Sequence, residues 1–331
     1  MPIIKGERCV HSRMEQATCQ ACVQACPRQA LRLTDEALTL DGGRCDGCGL
    51  CVPACPEQAI SVAGEPLLRQ SFWGRAEALA ACSRAGVSGP GVLACLNAIG
   101  SSKILSYYHH GIAVWYLAHG DCTACLHGKS RSFDQHIEDA NKILRSHALA
   151  EIRVTRGEPG AWSARRSKVK VSEAPERRRS FLRRVAGLAP NEEDSHRARK
   201  LQDCDVLMTA WLPSPTGLLP WTVSLDAGQC VGCGSCSEMC QHGAIRLESD
   251  CGFRVDSSRC TGCGTCRDVC PADAVRLERL APARQFLMPL SVSRCKRCGN
   301  SFCQPVKQQR QEYCHVCRSK PRSRHLFQVL S

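Results

Sequence analysis

Residues 230–241 read CVGCGSCSEMCQ, and residues 260–271 read CTGCGTCRDVCP. Each is a Cys-x2-Cys-x2-Cys-x3-Cys run, and the two are offset by a constant thirty residues (230 to 260, 233 to 263, 236 to 266, 240 to 270), as an internal repeat requires. Four thiolates at this spacing can wrap one iron–sulfur cube. Gly232, Gly234, Gly262 and Gly264 let the backbone turn tightly around an inorganic core, where a Cβ would clash. Two zinc knuckles would need only paired Cys-x2-Cys, leaving a third cysteine at the same spacing unexplained twice over.

The stretch from Trp221 to Leu277 resembles a bacterial-type ferredoxin with two 4Fe–4S clusters. In that family the fourth cysteine of each run crosses to the other cluster. The resemblance implies one ligand set of Cys230, Cys233, Cys236 and Cys270, and another of Cys260, Cys263, Cys266 and Cys240. Gln241 departs from the family, standing where Pro271 supplies the usual proline. Proline only stiffens that turn, so Cys240 keeps its assignment.

The same theme opens the chain. Cys45, Cys48, Cys51 and Cys55, followed by Pro56, form an unbroken run, and Cys19, Cys22 and Cys26 precede Pro27. Three offsets match at twenty-nine (19 to 48, 22 to 51, 26 to 55), but the partner of Cys45 would fall at Gln16. Cys9 is the nearest thiol, and a longer loop can deliver it at small entropic cost. The expected sets are Cys9, Cys19, Cys22 and Cys55 for one cluster, and Cys45, Cys48, Cys51 and Cys26 for the other. Short alternating runs stand at Ala30–Leu33 and Ala37–Leu40, and the same pattern follows Cys240 (Ala244–Leu247) and Cys270 (Ala274–Leu277). They read as the small strands of ferredoxin halves.

Residues 67–156 alternate apolar strand-length runs (Ala78–Ala81, Gly91–Ala94, Ala113–Ala118, then Glu151–Thr155) with helix-like stretches (Ser101–His110, Phe133–His147). Phe133, Ile137, Ala140 and Leu144 recur at helical spacing. This pattern predicts a short parallel sheet. Cys82, Cys95 and Cys122 each fall at or just past a predicted strand's C-terminal end, the edge where open α/β sheets bind ligands. With Cys125 they could hold a fifth cluster, 2Fe–2S or 4Fe–4S. The other reading is a dithiol at Cys122 and Cys125 with Cys82 and Cys95 as core residues. The segment from Cys82 through HGDCTAC loosely resembles the small iron–sulfur subunit of methyl-viologen-reducing hydrogenases. His119 and His127 flank the site but are not expected as ligands, and His109 and His110 read as ordinary helix or loop residues.

Residues 157–200 are polar and basic, with little apolar periodicity, and read as a linker. Within it, Arg177–Arg183 (RRRSFLR) resembles a twin-arginine export motif in the wrong context, mid-chain and before too short an apolar run. A short basic amphipathic helix is expected there, with Phe181, Leu182 and Val185 docking on a partner or on the protein itself. The second ferredoxin module then occupies 201–280. After a proline-containing passage, Pro282 to Pro289, Cys295-x2-Cys298 and Cys314-x2-Cys317 are separated by fifteen residues and read as a zinc ribbon over 281–331. A rubredoxin-type iron site shares that ligand set, but the basic surroundings favour zinc.

The expected fold is therefore α+β multidomain: dicluster ferredoxin modules at 1–66 and 201–280, an α/β domain at 67–156 between them, and a C-terminal zinc ribbon. Of 27 cysteines, this leaves Cys204, Cys251 and Cys303 as structural or spare thiols. The formal charge of +13 would point to nucleic acid if it stood alone. Four clusters and one zinc, each about −2 with its thiolates, bring it to roughly +3. The remaining excess lies in 153–200 (fourteen basic, six acidic) and 279–331 (eleven basic, one acidic).

No apolar run of eighteen residues or N-terminal signal is evident, and thiols on this scale fit a reducing cytoplasm. No dinucleotide fingerprint, P-loop or triad stands out. The expectation is a cytoplasmic polyferredoxin that carries electrons to or from a larger redox enzyme, rather than a stand-alone enzyme. The alternative is a thiol–disulfide or other reductase in the 67–156 domain, fed by the ferredoxin clusters. A redox-sensing nucleic-acid binder ranks last, because sixteen cluster ligands exceed what a sensor needs and no helix-turn-helix is evident.

Overall fold

The computed structural model describes residues 1–34, 37–70, 76–129, 131–169, 209, 211–248 and 252–319. They fall into two compact units. One comprises Met1–Ser12 with Gln20–Trp211, the other Arg13–Cys19 with Leu212–Ser331.

The first unit begins with paired short strands. β1 (Ile3–Ile4) runs antiparallel to β4 (Ile60–Ser61), and β2 (Leu31–Leu33) to β3 (Leu38–Leu40). Between them lie two single-turn helices, α1 (Ala21–Gln24) and α2 (Cys51–Ala54). Leu31, Leu38 and Ile60 form a small core with Cys22 and Cys51, against which Cys9 and Cys26 pack. Strands this short cannot stand alone, so the thiols form much of what there is to pack against.

The remainder of this unit is a five-stranded sheet in the order β5 (Leu67–Gln70), β6 (Ala76–Cys82), β8 (Ile112–Ala118), β9 (Arg153–Arg156), with β7 (Val92–Leu93) also on β6. β6, β7, β8 and β9 pair in parallel, and only the edge strand β5 is antiparallel. The near-continuous apolar runs of β6 and β8 are those of strands covered on both faces. Successive β8 side chains point to opposite sides. Trp115 meets Tyr107 of α3 (Ser101–His109) and Phe133 of α4 (Phe133–Ser146), at ring separations of 5.3 and 5.4 Å. Tyr116 instead lies under Arg165 of α5 (Pro159–Ser167). The start of α4 is fixed by a capping box, Ser132 with Gln135, as the sequence S-x-x-Q specifies.

α5 corrects the expectation of a linker from residue 157. Pro159 occupies the first helical turn, Trp162 is fully buried, and Arg165 makes two hydrogen bonds to the buried Glu77, at 2.7 and 3.0 Å. A nine-residue helix with one apolar anchor leaves too faint a periodicity to be read from polar surroundings. The basic stretch Arg177–Arg183, with Val185, lies outside the described residues, as do Cys204 and Cys251.

In the second unit, β10 (Leu218–Leu225) pairs antiparallel with β13 (Val275–Pro282). A second sheet has the order β11 (Ile245–Glu248), β12 (Gly252–Asp256), β14 (Gln285–Arg294), β15 (Ser301–Pro305). Single-turn helices α6 (Ser235–Glu238) and α7 (Thr265–Asp268) carry cysteines between the strands, and α8 (His315–Ser319) follows β15. The passage through Pro289 is strand from Gln285 onward. β12 pairs with β14 as far as Pro289, and β15 takes over from Leu290. Pro289 sits at the change of neighbour, where a missing N–H costs least. In the same unit Thr18 donates its N–H and hydroxyl to Asp268, at 2.8 and 2.9 Å.

Candidate iron–sulfur and metal centres

One local device occurs four times. After Cys26, Cys55, Cys240 and Cys270 the chain turns so that the third following residue is left-handed: Gln29 and Gln58 at φ 51°, Gly243 at 63°, Asp273 at 47°. This aims the next N–H back at the sulfur. Ala30 and Ala59 donate to Sγ of Cys26 and Cys55 at 3.3 Å, and Ala244 and Ala274 to Sγ of Cys240 and Cys270 at 3.2 Å. All four alanines are at most 2% exposed. The recurring Cys-x3-Ala is visible in the sequence, although the cysteine spacing alone draws the eye. An N–H aimed at sulfur stabilises its anionic form, as a metal-bound thiolate requires.

The thiols converge in the second unit. The charges of Cys230, Cys233 and Cys270 all bear on Cys236, and those of Cys263, Cys260 and Cys240 on Cys266. Each group thus takes three thiols from one run and a fourth from the other. Cys236 also acts on Cys266, so the sets adjoin. In the first unit Cys26, Cys45 and Cys55 act on Cys51, while Cys9 packs on the core containing Cys22. Cys19 belongs to the segment grouped with the second unit. Burial pushes the Cys48 and Cys236 thiols up to about 12 and Cys51 to about 11, and Cys266 is raised as well. Thiols buried in such groups ionise only when cations share the site, so the donor chemistry fits iron–sulfur clusters.

The α/β sheet gathers its four cysteines too. Cys82 ends β6, Cys95 follows β7, and Cys122 and Cys125 lie in the loop after β8, all at the C-terminal edge of the parallel strands. The charges of Cys82, Cys125 and Cys122 all reach Cys95, whose thiol burial raises to about 11. Gly120 donates its N–H to Cys82 Sγ at 3.3 Å. Cys122 is exposed, yet its pKa is raised, by partial burial and by Cys82 and Cys125. His119 binds the Gly120 carbonyl at 2.8 Å, and His109 stacks on Trp211 at 4.9 Å.

His127 does something not foreseen. Its Nε2 donates to Asp46 Oδ2 at 2.8 Å, and the donor atoms of Asp46, Cys48 and His127 lie within 4.8 Å of one another. Burial would raise the Asp46 carboxyl, but hydrogen bonds from His127, Cys48 and Arg28 outweigh it and hold it well below the usual range.

In the C-terminal region the Sγ atoms of Cys295, Cys298, Cys314 and Cys317 all lie within 4.8 Å of one another, with Cys298 and Cys314 at 3.9 Å. Tetrahedral zinc with Zn–S near 2.3 Å sets its sulfurs about 3.8 Å apart, so the donor set fits one ion. Burial opposes ionisation of Cys295, but amides of Cys298, Cys314 and Arg297 hold its thiol below the usual range. This region is tied to the nearest cysteine loop. Gln308 Nε2 donates to the carbonyls of Ala227, Gly228 and Cys230 at 2.7 to 2.9 Å. A Cβ on Gly232 would collide with the carbonyl of Cys303, which itself packs on the core.

Among the described residues no helix is long and apolar enough to cross a membrane. No curated protein matches the chain. Family models for a 4Fe–4S dicluster domain match residues 17–60 and residues 223–277. The first match begins beyond Cys9, where the spacing departs from the pattern. The protein carries two ferredoxin-like 4Fe–4S dicluster domains, and such domains transfer electrons.

Proposed function

We propose that the protein is a cytoplasmic polyferredoxin that relays electrons to or from a larger redox enzyme. The fourfold turn, which aims an alanine N–H at the last cysteine of every run, carries this reading. It supports a complete cradle in each half of each module. The ligand sets are Cys9, Cys19, Cys22 and Cys55; Cys45, Cys48, Cys51 and Cys26; Cys230, Cys233, Cys236 and Cys270; and Cys260, Cys263, Cys266 and Cys240. Cys82, Cys95, Cys122 and Cys125 hold a fifth iron–sulfur cluster, consistent with the hydrogenase-subunit resemblance. Cys295, Cys298, Cys314 and Cys317 hold zinc. The clusters supply one-electron chemistry. The chain fixes their separation, limits water and aims N–H groups at their sulfurs.

The reductase alternative rests on the exposure of Cys122. Against it, a disulfide-attacking thiol needs a lowered pKa, and that of Cys122 is raised. Iron, sulfide and zinc content of anaerobically purified protein tests the proposal. We expect about sixteen irons from the two modules, more with the fifth site loaded, and one zinc. Eight irons or fewer in undamaged protein would sink it.

A further inference from the structure

The α/β sheet and the N-terminal cysteines other than Cys19 belong to one compact unit, and their contacts fall in one place. α2, which begins at Cys51, packs on α3 and on the turn Leu96–Ala98 that directly follows Cys95. A Cβ on Gly49, between Cys48 and Cys51, would lie 3.0 Å from the Ala98 methyl, and one on Gly100 would lie 2.6 Å from Pro53. His127, two residues after Cys125, reaches Asp46 at 2.8 Å and brings its ring nitrogen within 4.8 Å of Cys48 Sγ. Two residues span at most ~7 Å of backbone, so one imidazole and two peptide units link Cys125 to Cys48. All these contacts touch the loop Cys45–Cys51 or the helix that follows it.

We propose that the four-thiol site of the sheet exchanges electrons directly with the cluster held by Cys26, Cys45, Cys48 and Cys51, with His127 and Asp46 as the positioning pair at the crossing. The inference rests on the reading of Cys82, Cys95, Cys122 and Cys125 as cluster ligands. The step moves one electron: one cluster is oxidised, the other reduced, and no bond is made or broken. The electron enters from a reduced protein partner, for which dithionite substitutes in vitro. On this view the sheet domain is a terminal of the relay, and the Cys9 cluster takes no direct part in the crossing.

The backbone contacts are close because small residues permit it. Gly49 has φ 78° and faces Ala98, so any larger residue would push the two cysteine loops apart. His127 is held in place by an anionic partner that also receives Arg28 at 3.2 Å, which fixes the ring's direction.

Electron paramagnetic resonance of the full-length protein, reduced stepwise with dithionite, tests this. We expect the signal of the Cys45 cluster to broaden when the sheet cluster is also reduced. Cys122→Ser, at an exposed position, should abolish the sheet signal and the broadening together. Cys45→Ser should also remove the broadening, whereas Cys9→Ser should leave it. His127→Gln should retain the iron content and shift both midpoint potentials. The second module's signals, unchanged throughout, serve as the gauge of correct folding. A sheet signal that interacts with no N-terminal cluster, or whose broadening survives Cys45→Ser, overturns the inference while leaving the fifth cluster standing. If Cys95→Ser and Cys122→Ser change neither iron content nor any signal, the four-thiol reading itself falls, and the inference with it.

Discussion

The two dicluster modules share their turns and differ in what surrounds them. Both place a left-handed residue three positions after the last cysteine of each run and a buried alanine after that. Around the first module, the bracing comes from the α/β sheet, through Gly49 with Ala98 and Pro53 with Gly100. Around the second it comes from the C-terminal region, through Gln308 on three carbonyls and Cys303 against Gly232. The cradle is therefore a local property of about five residues, and the support is tertiary. A cluster's ligands can be copied along a chain while each copy takes its neighbours from whatever sequence follows.

The strongest way to break this comparison is to remove one ligand from each module. Cys270→Ser and Cys9→Ala should each cost one cluster, with four irons lost by analysis, and leave the other module's spectrum intact. Unchanged iron after Cys9→Ala would mean another group completes that site. A sharper comparison sets two glycines side by side. Gly47→Ala meets open space and carries only the left-handed backbone cost, about 1–2 kcal/mol. Gly232→Ala adds a collision with backbone and should cost about 1–3 kcal/mol more by denaturant unfolding. Equal losses would show that the C-terminal strands do not brace this loop. Gln308→Ala should destabilise by about 1 kcal/mol and speed the loss of the Cys230 cluster in air, with the first module unaffected.

The smallest effect concerns pH. Asp256 caps the turn leading to Cys260, accepting from Ser258 N at 3.1 Å and from Gln285 at 3.2 Å. Burial would raise its pKa, but the bonds from Ser258 and Gln285 and the nearby Arg259 charge lower it. Its stabilisation is fully present above the unfolded value near 3.9 and fades as pH falls through the lower folded value. Asp256→Asn should flatten the fall in stability below about pH 4, and an unaltered slope there would exclude this carboxylate.

What the sequence disclosed follows from the range of the interactions involved. Cysteine spacing is local, and the thiols of the two runs gather around Cys236 and Cys266. Strand and helix runs such as Ala113–Ala118 and Phe133–His147 correspond closely to β8 and α4, because burial on a sheet imposes a strong pattern. α5 was hidden, since its burial depends on Trp162 and on a distant Glu77. β14 was masked by Pro289, whose place is decided by strands far away in sequence. The pairing of His127 with Asp46 spans eighty-one positions and has no sequence signature. Contacts of that range are invisible to periodicity and spacing.

The four alanine N–H groups aimed at cysteine sulfur have a use in isotopic labelling. Each is one proton, buried beside one sulfur, at a residue type that can be introduced selectively with 15N. Unpaired spin on a reduced cluster spreads onto its thiolate sulfurs, so each of these nuclei should feel the cluster it adjoins. With the proposed ligand sets, Ala30, Ala59, Ala244 and Ala274 form a set of four built-in reporters, one for each cluster of the two modules. Replacing one alanine at a time by glycine would assign the four hyperfine couplings, and would show in what order the sites fill with electrons.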